Sequence, residues 1–373
     1  MVDVLLVSLG STAGLRAADA ELAASLSRAG ASVAVVAARP QRDVRTLALT
    51  DFVWARAARA AARLGIEEHR PRAVVYCTVT AALLWPRPGA IRFDAPAAGN
   101  RPGRHGVWQR PLERRRLRQA PLLVPQAAGA LQEAGSPGTP SVVVPIPVEP
   151  SGPAGERDIA AITYAANPSK KGLDRVLAAW AVARREDEEL VVTGTDRVPL
   201  APGVRSAGPI APEAYRALLR RARVFVTAPR REDYGLAQLE ALADGCVLVT
   251  NAAPGPYAAL ALARELDGRL VVGGASAGRV TGNERVGDAI AAGGRATGNE
   301  RAGDAIAAGG RGTGTEGAAI DGLARAIRTA LDDPPPGYAE RALAAIAPYR
   351  REAVDATVRD QLLPALLDTL HRG

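Results

Sequence analysis

The 373-residue sequence predicts an α/β protein with two doubly wound domains that face each other across a cleft. Apolar strand patterns alternate with helical patterns in the first part of the chain. A segment with four prolines, 144–153, then interrupts the alternation, and the same alternation restarts after it. Ligands of such sheets bind at the carboxyl ends of the strands, so we expect the functional site in the cleft.

The first domain, predicted at 1–148, opens on a compact apolar strand at 2–9. A loop of small residues and a helical pattern at 18–28 follow, and a second strand is predicted at 32–37. This strand–helix–strand unit predicts a parallel pair with a right-handed crossover. Further strands are predicted at 73–79, 90–93, 121–124 and 141–144.

The second domain, predicted at 149–346, restarts with a strand at 159–165 and a helical stripe from Leu173 to Trp180. Later strands are predicted at 190–193, 224–227 and 247–250, and later helices at 213–221 and 236–244. The last residues, 347–373, are expected to form a helix that packs back on the first domain.

A tandem repeat interrupts the second domain. The stretch TGNERVGDAIAAGGRA at 281–296 is followed by TGNERAGDAIAAGGRG at 297–312. Two glycine-rich copies are too few for a solenoid, so we interpret about 274–317 as a surface insertion before a helix that begins near Ile320. The alternative is a duplication without function.

Positive charge is concentrated in one segment. The chain has a formal net charge of +8, and residues 101–119 hold seven arginines against one acidic residue, a local charge of +6. General basicity would favour a nucleic-acid partner, whereas one basic segment favours a single anionic surface or ligand. We therefore expect no nucleic-acid partner.

Three interpretations of this segment stay open. With Trp108 and a helix start near Pro111, it is either an interfacial helix on anionic lipid or a site for an anionic acceptor. Alternatively, it is an ordinary solvated helix.

The cysteines and the apolar runs indicate where in the cell the protein is expected. Cys77 and Cys246 lie in apolar runs, which predicts buried free thiols in a reducing compartment. No signal peptide pattern opens the chain, and the longest apolar run, 73–85, has 13 residues, too few to cross a bilayer. We expect a cytoplasmic location, with peripheral contact at the inner face of the membrane as the variant that the basic segment suggests.

Lysine occurs only twice in this arginine-rich chain, as Lys170 and Lys171. Both stand between a predicted strand and a predicted helix, with Gly172 at the helix start. A cation at a helix N-terminus is unfavourable by roughly 0.3–1 kcal/mol unless an anion binds there. The pair therefore predicts a phosphate site, and the alternative is two solvated lysines on a loop.

A second feature is a pair of glutamates around a helix start near Gly235. Glu240 falls near the inner stripe of the helix, where a carboxylate is costly unless it is hydrogen-bonded or bound to something. Glu232 precedes the same helix, so both carboxylates are expected at the mouth of the cleft. The alternative is a pair of salt bridges to Arg230 and Arg231.

These stretches resemble those of retaining GT-B glycosyltransferases, in particular glycosyltransferase family four. Glu232 and Glu240, with seven residues between them in TAPRREDYGLAQLEALADGCVLVT, resemble the Glu-x7-Glu signature of that family. The family's strand–loop–lysine–glycine–helix stretch resembles ITYAANPSKKGLDRVLAAW. The stretch VRSAGPIAPEAYRALLRRARVFVTAP resembles the one that precedes the acidic motif in the family, and weaker likenesses before residue 150 are seen in GSTAGLRAADAELAASLSRAGASVAVV and VVVPIPVEP. The resemblance covers most of the chain, is strongest over 159–250, and implies a GT-B fold.

The resemblance also implies roles for individual residues. Lys171 would contact the diphosphate of a nucleotide-sugar donor, Glu232 would hold hydroxyls of the transferred sugar, and Glu240 would bind the ribose hydroxyls. Gly235 and Leu236 would offer backbone N–H groups to phosphate. The other donor-binding residues carried over from the matching stretches are Tyr234, Lys170, Arg230, Asn167 and Gly10, with Gly208 and Ile210 lining the base.

The chain departs from the family at two positions. Many members carry Gly-Arg where this chain has Tyr164 and Ala165, so one phosphate cation is missing and Lys170 or Arg230 would substitute for it. Many members also place a histidine after the fourth strand of the first domain. Here Asp94 stands in that neighbourhood, and with Glu232 and Lys171 it completes our candidate catalytic set. We assign no catalytic role to His105.

The implied reaction is transfer of a sugar from a nucleotide sugar to an unidentified acceptor, with retention of configuration. The acceptor is a lipid-linked molecule, a saccharide or a small molecule. The sequence has no Asp-x-Asp motif and no His/Cys grouping with ligand spacing, so we expect neither a metal nor another cofactor. The alternatives are an epimerase or hydrolase of nucleotide sugars on the same fold, or a catalytically silent nucleotide-sugar-binding protein.

Overall fold

A computed structural model of the protein describes residues 1–273 and 314–368, apart from Arg42, Asp43, Arg45, Pro102, Ala154 and Pro256. The tandem repeat at 281–312 lies outside the described residues, so its interpretation as a surface insertion stays a prediction. None of the described helices is both long and apolar enough to cross a bilayer.

The first domain alternates strands and helices as expected. Its elements are β1 (Val4–Ser8), α1 (Ala13–Arg28), β2 (Val33–Ala37), α2 (Leu47–His69), β3 (Ala73–Tyr76), α3 (Val79–Ala82), β4 (Ala90–Phe93), α4 (Ala97–Asn100), a 3₁₀ turn (Gly103–Gly106), α5 (Gln109–Gln119), β5 (Leu123–Pro125) and α6 (Ala128–Glu133).

The sheet of the first domain is parallel, in the order β2-β1-β3-β4-β5. All of β1 is buried, which suits an apolar run covered by helices on both faces, whereas β2 lies at the edge and is partly exposed. Helix α1 begins where the Thr12 hydroxyl accepts a hydrogen bond from the Leu15 N–H at 3.2 Å. The small-residue loop containing Gly10 therefore lies at the carboxyl end of a central strand.

The second domain repeats the architecture after the proline-rich linker. Its elements are β6 (Ile159–Tyr164), a helical turn α7 (Pro168–Lys171), α8 (Leu173–Ala183), β7 (Leu190–Thr193), β8 (Val204–Gly208), α9 (Pro212–Arg221), β9 (Ala222–Val226), α10 (Leu236–Ala243), β10 (Val247–Asn251), α11 (Ala259–Asp267), a 3₁₀ turn (Gly268–Leu270), β11 (Val271–Val272), α12 (Gly314–Asp332) and α13 (Tyr338–Ala345).

The second sheet is also parallel, in the order β11-β10-β9-β6-β7-β8. Chain order runs outward from β6 to β8 on one side and from β9 to β11 on the other. The strand order therefore reverses between β6 and β9, and this is the topological switch point where doubly wound sheets bind ligands. The loop after β6 holds the lysine pair, and the loop after β9 holds the acidic motif.

The C-terminal residues cross back to the first domain. After a 3₁₀ turn (Ala347–Tyr349), the elements are α14 (Arg351–Thr357), a π-helical turn (Val358–Leu362) and α15 (Leu363–Asp368). Val354, Val358 and Leu362 are buried in the same core as β1. Asp355 accepts hydrogen bonds from the Ser25 hydroxyl at 2.5 Å and from Arg28 Nε at 2.6 Å, which ties this segment to α1.

One expected strand is reduced to a single bridge, and two elements were not predicted. The strand expected at 141–144 forms a single bridge to β5, because Pro125 has no N–H to continue a parallel ladder. Helix α2 was not predicted, because its buried side consists largely of alanines rather than a stripe of large apolar residues. Strand β8 was also missed, because it lies at the sheet edge and is half exposed.

Both cysteines are free and buried, as expected from the apolar runs around them. Burial raises the pKa of the Cys246 thiol to about 12, so this thiol is not a nucleophile at neutral pH.

Candidate active site

The lysine loop follows β6 and is held against the loop that follows β9. The Asn167 side chain accepts a hydrogen bond from the Lys170 N–H at 3.0 Å, which starts the helical turn α7. Gly172 ends that turn with φ +66°, and a Cβ there would overlap the carbonyl of Ala228. Only glycine therefore lets the lysine loop pass this close to the end of β9.

Two adjacent ion pairs join the lysine loop to the acidic loop. Lys171 Nζ lies 2.6 Å from Glu232 Oε2, and Lys170 Nζ lies 2.6 Å from Asp233 Oδ2. Gln238 Nε2 donates to the same Glu232 oxygen at 3.1 Å. The Lys171 and Glu232 side chains are only 19% and 6% exposed, so this is the more buried pair. Two cations and two carboxylates are thus concentrated at the switch point.

The glutamates do not form the salt bridges that we considered as the alternative. Arg230 binds both carboxylate oxygens of Asp174, at 2.7 and 2.9 Å. Arg231 pairs with Glu133 and Asp233 instead of with either glutamate of the motif. Arg230 is therefore occupied on the outer side of the lysine loop.

Helix α10 begins beside the Lys171–Glu232 pair without a side-chain cap. Gly235, its N-cap residue, has φ +85°, and Leu236 is the first helical residue. The first N–H groups of a helix have no partner within the helix and carry partial positive charge. The amino end of α10 can therefore bind an anion next to Lys171.

Glu240 lies one turn further along α10 and is partly buried, with 24% of its side chain exposed. Burial raises its pKa to about 7, while the Arg216 guanidinium, 3.7 Å from Oε1, lowers that pKa and Asp244 raises it. Arg216 also donates to Asp244 Oδ2 at 2.6 Å and to the Glu149 carbonyl at 2.7 Å. These contacts fix the guanidinium beside Glu240.

We expect nucleotide binding to weaken as the pH falls through the pKa of Glu240. Its pKa of about 7 lies above the ordinary value of 4.5, so the carboxylate that the resemblance assigns to the ribose hydroxyls is present above pH 7 and is lost below it. At pH 6 about a tenth remains ionised, so affinity should fall by up to roughly tenfold. Calorimetry from pH 8 to 6 measures this.

Glu240→Gln is the control for that titration, because it removes the carboxyl and leaves the ionisation of the ligand phosphate unchanged. The difference between the two pH profiles isolates Glu240, since Tyr164 and Tyr215, which also lie near it, have pKa values raised above 10. Identical profiles for both proteins would show that Glu240 does not touch the nucleotide.

The first domain contributes Asp94 to the same cluster, from just beyond β4. Burial raises the pKa of Asp94, and the nearby carboxylate of Asp233 raises it further, while Lys170 lowers it. Its Oδ1 accepts the Ala95 N–H at 2.8 Å. Asp94, which was chosen from the family resemblance, thus lies close enough to Lys170 and Asp233 to interact electrostatically with both.

Arg231 bridges the two domains beside this cluster. It binds both oxygens of Glu133 on α6, at 2.7 and 2.8 Å, and Asn100 Oδ1 at 3.1 Å. Its Nε also donates to Asp233 at 2.8 Å. A Cβ at Gly99 would overlap the guanidinium, so the first domain has a glycine where Arg231 enters. Asp233 therefore connects this bridge to Lys170.

We expect Arg231 and Glu133 to be energetically coupled. Glu133→Gln and Arg231→Gln should each destabilise the protein, and the double variant should cost less than the sum, with a coupling energy of about 0.5–3 kcal/mol. Urea unfolding of the four proteins measures it. Glu149→Gln with Arg231→Gln is the control pair and should be additive, so equal coupling in both pairs would contradict the bridge.

The other predicted donor-binding residues lie around the cluster rather than in it. The Tyr234 hydroxyl accepts the Ile146 N–H at 2.8 Å and donates to the Ile146 carbonyl at 3.0 Å, so it ties the acidic loop to the linker. Gly208 and Ile210 lie at the carboxyl end of the edge strand β8, and both are partly exposed. Gly10 lies in the loop after β1 in the other domain, where its carbonyl accepts a hydrogen bond from Arg16 at 2.8 Å.

Sequence reasoning missed several groups that the fold brings to this site. Asp233 could have been noticed, since two adjacent acids match two adjacent lysines. Glu133 and Arg216 gave no local signal, because each contacts a residue that is distant in the chain. Gln238 lies close in the chain to its partner Glu232 and was overlooked. No cluster of three or more potential metal ligands occurs within residues 1–273 and 314–368 that the structure describes.

Comparison with known proteins identifies the second domain. Residues 157–278 match the family model described as glycosyl transferases group 1. No curated protein matches the chain.

Solved structures match the whole chain at low sequence identity. WaaG, a glycosyltransferase of lipopolysaccharide biosynthesis, has a TM-score of 0.61 and 13% identity over 99% of this chain and 100% of its own. Anabaena HepE, solved with UDP and glucose, has a TM-score of 0.60 and 14% identity over 97% of this chain and 99% of its own. Sucrose-phosphate synthase from Thermosynechococcus elongatus has a TM-score of 0.59 and 14% identity over 99% of this chain and 98% of its own. The chain therefore carries a group 1 glycosyl transferase domain at 157–278 within a GT-B fold, which makes it a glycosyltransferase.

Proposed function

We propose that the protein transfers a sugar from a nucleotide sugar to an acceptor with retention of anomeric configuration and without a metal ion, as enzymes resembling glycosyltransferase family four do. The observation that carries the proposal is the placement of Lys171 and Glu232. They come from the loops after the two strands that flank the switch point, they lie 2.6 Å apart, and the uncapped amino end of α10 is next to them.

These groups match the charges that develop in the reaction. The bond between the anomeric carbon and the diphosphate breaks, and its electron pair leaves with the diphosphate. Lys171 and the first amides of α10 would stabilise that negative charge without a metal ion. Glu232 would then exchange its contact with Lys171 for hydroxyls of the sugar, while Glu240 binds the ribose.

The acceptor is proposed to attack from the face that the diphosphate leaves. Its hydroxyl oxygen forms the new bond to the anomeric carbon, and its proton passes to an oxygen of the departing phosphate, so that no protein base is needed. Asp94 lies on the first-domain side of the cleft, where a carboxylate would stabilise positive charge on the sugar ring or orient the acceptor hydroxyl. The UDP and glucose in the HepE structure favour a nucleotide-sugar donor of this kind.

Lys170 is the residue we propose as the second phosphate cation. Ala165 stands where many members of the resembled family have arginine, and Arg230 is held by Asp174. The side chain of Lys170 is 41% exposed, and its ammonium contacts the cluster in the cleft by pairing with Asp233. An exposed lysine with one carboxylate partner can turn to a diphosphate at lower cost than a bidentate arginine pair can.

A nucleotide screen followed by a turnover assay tests this function. Thermal shifts with UDP, GDP, ADP and TDP would identify the base, and a panel of nucleotide sugars would then be assayed with and without acceptors. Release of nucleoside diphosphate that requires an acceptor is the expected result. Sugar conversion without an acceptor would favour the epimerase or hydrolase, and binding without turnover would favour the silent binding protein.

A further inference from the structure

The first turns of α2 expose apolar side chains beside the arginine-rich segment. Leu49 is 52% exposed and Phe52 is 39% exposed, and Val107 in the adjoining loop is 63% exposed. The Phe52 ring packs edge-on against Trp108 with ring centroids 5.8 Å apart, and the Trp108 indole N–H donates to the Ala48 carbonyl at 3.1 Å. The two segments therefore form one continuous surface.

Part of the arginine segment serves the fold rather than this surface. Arg101 pairs with Asp51 at 2.7 Å, Arg116 stacks over the Trp85 ring at 4.8 Å, and Arg110 donates to a backbone carbonyl. Among the described residues, the arginines of 101–119 that are exposed and have no acidic partner are Arg104, Arg114, Arg115 and Arg118.

The only acid of the segment faces inward. Glu113 is 3% exposed, and its carboxylate accepts the Ala97 N–H at 2.9 Å. Burial raises the pKa of Glu113 to about 7, so even this charge is partly lost near neutral pH. Arg56 adds a further cation beside the apolar residues, since its guanidinium lies 6.0 Å from the centre of the Phe52 ring. The exposed charge of the segment is thus of one sign.

We propose that this surface binds an anionic lipid bilayer. We call it the docking face, and it comprises Leu49, Phe52, Val107, Arg56, Arg104, Arg114, Arg115 and Arg118. Large apolar side chains that insert at the headgroup boundary, together with arginines that attract anionic lipid, are the composition of an interfacial membrane segment.

Charge decides between a bilayer and a second copy of the chain. A two-fold dimer through the docking face would bring like charges together, and the described residues of the face offer no carboxylate to compensate them. An anionic leaflet instead supplies negative charge over the whole area and an apolar layer for Leu49 and Phe52. The docking face shares no residue with the proposed donor site, so its binding to a bilayer goes beyond sugar transfer.

Co-sedimentation of the full chain with phosphatidylglycerol–phosphatidylcholine vesicles tests the proposal, with pure phosphatidylcholine vesicles for comparison. The triple variant Arg114→Gln, Arg115→Gln, Arg118→Gln should bind on the order of 100-fold more weakly at low salt, from roughly fivefold for each arginine. Vesicle binding by the wild-type protein should also weaken as the salt concentration rises, because screening shortens the reach of exposed charges.

Apolar variants separate insertion from simple charge attraction. Leu49→Ser with Val107→Ser should weaken vesicle binding by roughly tenfold, and this loss should persist at high salt. Both side chains are more exposed than Phe52, so the variant should keep the wild-type melting temperature. The matched control is Val182→Ser with Leu200→Ser, on the second domain, whose side chains are 65% and 102% exposed. This control should bind vesicles as wild type does.

Three results would overturn the proposal. The first is failure of wild type to sediment with anionic vesicles at low salt. The second is equal binding by the Leu49→Ser, Val107→Ser variant and wild type, which would mean charge attraction without insertion. The third is a concentration-dependent dimer in vesicle-free buffer that the same variant abolishes, which would make the face an interface between two copies. Vesicle binding is measured without a donor, so these outcomes are independent of the transfer reaction.

Discussion

Lys171→Ala is expected to lower turnover by on the order of 10²-fold or more and to weaken nucleoside diphosphate binding by about 1.5–3 kcal/mol. Lys171 is the more buried of the two lysines, and its ammonium lies 2.6 Å from Glu232 Oε2. A charged hydrogen bond to the leaving diphosphate strengthens as charge develops there, so turnover should fall as well as binding. Calorimetry with the nucleoside diphosphate and steady-state kinetics measure the two effects.

Lys170→Ala is the matched comparison and should do much less. Its ammonium is more exposed, and it pairs with Asp233, the carboxylate that Arg231 also binds in the bridge between the domains. Equal, small losses for both lysines would mean that the phosphate binds elsewhere. A larger loss for Lys170 would mean that the roles of the two residues are exchanged.

The two glutamates are expected to separate binding from turnover. Glu240→Gln should mainly weaken nucleoside binding, because it loses the carboxylate proposed to accept the ribose hydroxyls. Glu232→Gln should mainly lower turnover of the sugar donor, and it should leave binding of free nucleotide nearly unchanged, because the sugar is the group that it is proposed to hold. Replacing a group that contacts only the transferred sugar cannot directly weaken the binding of a nucleotide that lacks this sugar.

Paired titrations with nucleoside diphosphate and with the nucleotide sugar measure this separation. Glu232 also holds Lys171 and accepts from Gln238, so the melting temperature of each variant should be recorded beside the kinetics. Reversed roles, with Glu232→Gln weakening free nucleotide and Glu240→Gln sparing it, would place the nucleoside on the opposite side of Gly235.

Much of the fold was predictable because the strands are short apolar runs separated by glycine- and proline-rich turns. The proline-rich linker at 144–153 marked the division between the sheets, and continuous apolar runs such as β1 are typical of parallel strands covered on both faces. The alanine-rich face of α2 and the exposed edge strand β8 lacked such contrast and were missed. Pro125 ended the ladder at β5, which a scan for apolar runs does not detect.

The candidate site, like the fold, could be predicted from the sequence only in part. The lysine pair and the acidic motif are local patterns, so their chemistry could be inferred before their positions were known. Which lysine meets which carboxylate depends on the register between two loops, and the bridge from Arg231 to Glu133 joins residues far apart in the chain. The apolar half of the docking face, on α2, was hidden for the same reason, because only folding brings Leu49 and Phe52 beside the arginines.

Proton NMR of the reaction tests retaining transfer most directly. The nucleotide sugar and the acceptor that support turnover are followed in one tube, in the presence of a metal chelator, and the coupling constant of the anomeric proton is recorded in the donor and in the first product. We predict a sugar–acceptor product whose anomeric configuration is the same as in the donor, formed at an undiminished rate with the chelator present. A product of inverted configuration, or free sugar released without an acceptor adduct, would contradict the proposed mechanism.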